Sequence, residues 1–82
     1  MTDFTVRYFA AAAEVAGVDA EQWDSEFVSS LASLRVALCE RHGDQMTRIV
    51  RSGTFLVNGV SREETELENG FVVDVLPPFA GG

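Results

Sequence analysis

The residues best suited to chemistry stand together at one end of the sequence: Leu76-Pro77-Pro78-Phe79-Ala80-Gly81-Gly82. Proline cannot donate to a sheet ladder, so a strand leading into this segment must stop near Leu76. A residue before proline is pushed toward extended backbone, and two consecutive prolines favour a polyproline segment. The six residues after Leu76 are therefore expected to project, reaching about 20 Å at roughly 3.3 Å each. That suffices to enter a deep cleft in another protein. Gly81 and Gly82 lack a β-carbon, so they can thread a narrow channel and leave the last carbonyl open to a reagent. A carboxylate at Gly82 is inert as it stands, because oxide is a poor leaving group. Adenylation by ATP would make it an acyl donor, and a sulfur nucleophile would then convert it to a thiocarboxylate. In this reading Gly82 is a handle for other enzymes. The bland alternative is an unstructured end without a role.

Little else in the chain has the makings of a reactive centre. One histidine, His42, and one cysteine, Cys39, cannot assemble a His- or Cys-rich zinc site within one chain. There is no Walker loop and no paired-glycine nucleotide fingerprint. Serine, histidine and aspartate occur without triad-like spacing. His42 reads as a cation at a helix end or a solvated residue, and Cys39 as a small residue on a helix flank. Glu63, Glu64, Glu66 and Glu68 have no metal-loop pattern. They read as a solvated turn, with partner docking as the sharper alternative. No metal site and no cofactor bound by this chain is expected.

With 82 residues the chain fits one small domain. A domain of that size buries about 60–65% of its unfolded surface, which leaves little room for an enclosed active site. The hydrophobic fraction of 46% is globular. The net charge of −7 repels phosphate backbones and anionic membranes, so neither nucleic acid nor membrane is an expected partner. It suits a protein with a basic docking face, or serves solubility alone. A lone cysteine and a start, Met1-Thr2-Asp3-Phe4, without a basic and apolar leader point to the cytoplasm.

The elements that must carry the end segment can be traced by period. Phe4, Val6 and Tyr8 alternate with Thr5, Arg7 and Phe9 as a strand with one apolar face. Ala10–Ala16 predicts a short helix stopped by Gly17. Residues 18–28, with Trp23, Phe27 and Val28, predict a second strand on poorer alternation. Ser30 caps a helix whose Leu31, Leu34 and Leu38 form one stripe, with Arg41 and His42 in the last turn and Gly43 at the stop. A short helical piece over 44–50 follows. Residues 54–60 form a strand entering an Asn58-Gly59 hairpin turn, with a return strand over 60–65. After a second turn at Asn69-Gly70, Phe71–Leu76 reads as a central strand buried on both faces. One sheet with its main helix on one face is an α+β layout.

The sequence resembles the MoaD/ThiS-like ubiquitin-fold sulfur carriers, and within them most resembles the small subunits of molybdopterin synthase. The resemblance is carried by Val6–Gly17, Leu31–Gly43, Phe55-Leu-Val-Asn-Gly59 and above all Leu76–Gly82, and spans nearly the whole chain. It implies a β-grasp domain over residues 1–76, a mixed sheet with one main helix on one face, and a flexible Gly-Gly tail over 77–82. It implies that an E1-like (MoeB-like) adenylating enzyme uses ATP and magnesium on Gly82, and that a sulfur donor then makes the thiocarboxylate. The tail would enter the large (MoaE-like) subunit of a heterotetramer and give sulfur to cyclic pyranopterin monophosphate. By position Gly81 and Gly82 match the active tail, while Phe9, Leu76, Pro77, Pro78, Phe79 and Ala80 match the docking surface. Val75-Leu76 stands where aromatic residues are common in the family. On this reading the chain is not an enzyme by itself. Carriage of sulfur for thiamine or cysteine synthesis, ubiquitin-like protein modification and simple binding stay open as alternatives.

Overall fold

The computed structural model describes residues 2–78. The elements run β1 (Asp3–Tyr8), α1 (Ala11–Ala16), β2 (Ala20–Asp24), α2 (Leu31–His42), α3 (Asp44–Ser52), β3 (Thr54–Val57), β4 (Val60–Ser61) and β5 (Val72–Leu76). The sheet order is β2-β1-β5-β3-β4. β1 and β5 are parallel, and the other neighbours are antiparallel. This mixed sheet with helices on one face is the β-grasp arrangement.

The period-2 residues of β1, Phe4, Val6 and Tyr8, join Val73 and Val75 of β5 and Phe55 and Val57 of β3 in the core. The helices close that face with Leu31, Leu34 and Leu38 from α2, and Met46, Ile49 and Val50 from α3. α2 starts where Ser30 adopts extended backbone and accepts from the amide of Ser33, while the Ser33 hydroxyl accepts from the amide of Ser30. Glu64 adds a second cap: its Oε1 accepts from the Ala32 amide at 3.0 Å, an anion at the positive end of the helix. One of the four acidic turn residues thus works inside the fold. Asn58 (φ 51) and Gly59 (φ 84) make the left-handed hairpin turn that the Asn-Gly pair predicts.

Three expectations need correction. The second strand is confined to Ala20–Asp24; Phe27 lies beyond it and is 85% exposed. A turn from Asp24 intervenes, with the amides of Phe27 and Val28 both donating to the Asp24 carbonyl. The return strand is only Val60–Ser61, because residues 62–69 leave the sheet to strap the start of α2. In that strap Leu31 donates to Thr65, and Leu67, itself buried, donates to Ser29. Finally, β5 is central but has helices over one face only. Val73 and Val75 face the core, whereas Asp74 is buried on the other face by a guanidinium.

Among the described residues, no helix is long and apolar enough to cross a membrane.

Candidate functional site

The segment of chemical interest leaves the sheet at Leu76, and β5 holds that exit on both sides. Thr54 pairs with Leu76 across β3, Tyr8 pairs with Val75 across β1, and the Phe9 amide donates to the Val75 carbonyl at 3.2 Å. The strand stops at Leu76, as the prolines require. Pro77 is half-buried and Pro78 exposed. Phe79, Ala80, Gly81 and Gly82 lie outside the described residues.

The open face of the sheet surrounds this exit. Arg7 and Asp74 sit opposite each other in the parallel register. Arg7 Nε donates to Asp74 Oδ1 at 2.6 Å and Nη2 to Oδ2 at 2.9 Å, a bidentate fork. Hydrogen bonding first and charge second hold the Arg7 guanidinium above its ordinary pKa. Its carbon lies 5.7 Å from the centre of the Phe9 ring. Continuing the register beyond Arg7–Asp74 and Tyr8–Val75 places Phe9 beside Leu76. Phe9 is 39% exposed, and Leu56 and Val72 are half-buried at the same face positions as Asp74 and Thr5. Phe9 and Leu76 therefore share the open face, and Pro77 follows directly where the strand stops. Sequence reasoning missed Leu56, Val72 and the Arg7–Asp74 fork. Asp74 was the signal for the fork, being the one charge in the run Phe71–Leu76.

A second polar cluster lies where the end of α2 meets β1 and β2. His42 is not solvated as the sequence suggested: its side chain is only 10% exposed. It packs edge-on against Tyr8, with ring centres 5.9 Å apart, and its Nε2 stands 3.6 Å from Glu21 Oε1. Tyr8 Oη donates to the same oxygen at 2.6 Å, and Arg41 Nη2 is 3.5 Å from Glu21 Oε2. Burial first, then the Glu21 bond, pushes the Tyr8 phenol well above its ordinary pKa of 10.0. A phenol raised in the folded state contributes stability that is complete below pH 10 and is lost as pH rises above it. Tyr8 is the chain's one tyrosine. An alkaline titration followed at the tyrosinate absorbance should therefore show no ionisation until the fold is lost, with both changes in one step. Free titration near pH 10 in a still-folded chain would contradict the burial.

Neither cluster joins an acid, a base and a nucleophile. Among the described residues, no group of three or more His, Cys, Asp or Glu is placed to hold a metal. What the site offers is a rigid strand end, an apolar and partly charged face, and the chain that continues from them.

The model of the ThiS family matches residues 6–82. The chain belongs to the ThiS family. It is thus one of the ThiS/MoaD ubiquitin-like sulfur carriers, small proteins that are generally non-catalytic themselves. No curated protein matches the sequence. Among solved structures, the chain is similar to a Pyrococcus furiosus protein assigned as molybdopterin converting factor subunit 1. The two are 27% identical with a TM-score of 0.73, over 96% of this chain and 100% of that one. It is similar to small archaeal modifier protein 1 of Methanosarcina acetivorans at 22% identity and TM-score 0.74, over 100% and 99%. A complex of subunits 1 and 2 of the molybdopterin-converting factor of Helicobacter pylori contains a chain 22% identical, with TM-score 0.69, over 98% and 99%. At 22% identity the last two likenesses speak for the fold alone.

Proposed function

We propose that this ThiS-family chain is the sulfur-carrying small subunit of molybdopterin synthase. The observation that carries the reading is the run Leu76-Pro-Pro-Phe-Ala-Gly-Gly82 continuing directly from the central strand. Likeness to the Pyrococcus furiosus subunit 1 supports it.

In this mechanism an E1-like adenylating enzyme with ATP and magnesium forms an acyl adenylate at Gly82 and releases diphosphate. A persulfide on the sulfur donor attacks the acyl carbon and AMP leaves; a thiol then reduces the resulting acyl disulfide, is itself oxidised to a disulfide, and the thiocarboxylate is released. The tail then enters the large subunit, whose pocket holds cyclic pyranopterin monophosphate. The thiocarboxylate sulfur bonds to the pterin and water cleaves the resulting thioester, returning Gly82 to a carboxylate; two such transfers complete the dithiolene. This chain supplies positioning. The open face with Phe9 and Leu76, and Pro77 that follows it, docks on the large subunit in a heterotetramer of two small and two large chains, and the paired β5 fixes where the tail begins. The charge of −7 favours encounter with a basic partner face.

The test is the intact mass after incubation with ATP, magnesium, the host's adenylating enzyme and a sulfur source, followed by addition of the large subunit and the pterin precursor. The expected result is one oxygen replaced by sulfur at Gly82, then loss of that sulfur to the pterin. A thiocarboxylate that the large subunit never consumes would point to thiamine or cysteine synthesis. An unchanged mass beside a competent enzyme, with covalent ladders on denaturing gels, would replace this reading with protein modification.

A further inference from the structure

Three of the chain's six basic residues, Arg35, Arg51 and Arg62, line one cleft of about 510 Å³. The cleft lies between the end of α3, the start of β3 and the residues around β4. Thr54 and Ser61 add exposed hydroxyls to its wall, and Glu63 is its one carboxylate. This is a local reversal of charge on a chain with 13 acidic residues. Like charges held together cost free energy unless something neutralises them. The chain has ample acids for that purpose, and it spends carboxylates on Arg7 and Arg41. Yet among the described residues none of the three cleft arginines forms an ion pair.

Arg35 is held in place rather than free to swing away. Its Nη1 donates to the Glu63 carbonyl at 2.6 Å, and its guanidinium carbon lies 5.0 Å from the centre of the Phe55 ring. One fork is thus fixed on a rigid wall with donors to spare, while Arg51 and Arg62 stand exposed at the rim. Guanidinium forks are donors only and hydroxyls can turn to donate, so both match the oxygens of a tetrahedral anion. Three cations around one cleft suit a group carrying two or more negative charges better than a single carboxylate.

We propose that this cleft binds a phosphate-class oxyanion, either a free phosphate or diphosphate or the phosphoryl chain of a nucleotide. The cleft adjoins the strand end at Leu76 through Gly53 and Thr54, but the proposal does not depend on the sulfur-carrier role.

The experiment titrates the isotope-labelled full chain with inorganic phosphate, diphosphate and ATP separately, at constant ionic strength, following amide shifts. Saturable shifts confined to Gly53, Thr54, Ser61 and Arg62 are expected. The Arg51→Gln/Arg62→Gln variant should bind about tenfold more weakly, having lost two charge-assisted donors. Both side chains are exposed, and an unchanged melting temperature verifies the fold; Arg62→Gln alone repeats the comparison if the double variant melts early. A tighter response to ATP than to diphosphate identifies a nucleotide as the source, and an equal one identifies the free anion. Unsaturable shifts spread over the surface, or undiminished affinity in the variants, would overturn the site. So would an equal response to glutarate, which would make it a seat for acidic peptide.

Discussion

Removing Gly82 should abolish thiocarboxylate formation while leaving the melting temperature unchanged. The core cluster of the described residues runs from Phe4 to Val75, so shortening the end by one residue takes nothing from it. The reacting carbon, however, retreats by one residue length, roughly 3.3 Å. Reacting atoms must be held about 3–3.5 Å apart, and even a displacement of about 1 Å can cost a hundredfold in rate. β5 cannot slide outward to make up the distance, because it is paired to β1 and β3 as far as Leu76. The paired measurement is a thermal melt beside an intact-mass assay with the activating enzyme. Full thiocarboxylate formation in the truncated chain would show that Gly82 is not the handle. A large drop in melting temperature would show instead that the end is part of the fold.

Gly53→Ala should be the most damaging small substitution in the described structure, costing about 3 kcal/mol through overpacking. For a domain of this size that is a fall of roughly 12–24 °C in melting temperature. The reason is space rather than conformation, since Gly53 has an ordinary φ of −88°. A β-carbon there would run into the carbonyl oxygen of Leu76 and lie 2.7 Å from that of Ile49, both backbone atoms. Neither can step aside. Ile49 O already accepts from the Gly53 amide at the end of α3, and Leu76 is paired with Thr54. The added methyl must therefore prise α3 from β5 where the end segment begins. Gly70→Ala is the control. Its φ of +85° strains an alanine, but the space around it is open, so about 1 kcal/mol is expected. Equal melting temperatures for the two variants would mean that the helix end yields easily and that the contact does not anchor the exit. The same melt-and-mass pair separates lost stability from a misplaced tail.

Much of the framework was legible because it is local. The alternation of Phe4, Val6 and Tyr8, the stripe of Leu31, Leu34 and Leu38, the Ser30 cap and the Asn58-Gly59 turn each reside in a few neighbouring residues. All four take their expected form. The weaker readings failed where local pattern met competition. Phe27 and Val28 look like strand residues, yet the Asp24 carbonyl captures both their amides and bends the chain. Residues 62–65 continue an apparent return strand, but the amides at the start of α2 draw them away. His42 was read as a helix-end cation. It does end α2, but its side chain is packed against Tyr8 and beside Glu21, which are remote in sequence. Of the proposed working residues, the strand register places Phe9 beside Leu76, while Phe79, Ala80, Gly81 and Gly82 lie outside the described residues.

By itself, then, the sequence determined the kinds and order of elements, the apolar sides of β1 and α2, where β5 must end and what chemistry the last two glycines invite. Side-chain period, capping and proline's missing donor act over a few residues and need no knowledge of the rest. Only the tertiary structure decided that β5 lies between β1 and β3, that Arg7 and Asp74 meet across 67 positions of sequence, and that Gly53 touches Leu76. It alone gathered Arg35, Arg51 and Arg62 around one cleft. Those are contacts between distant segments. They follow from which strand edges pair when the whole apolar face is buried at once, and no local pattern encodes that choice.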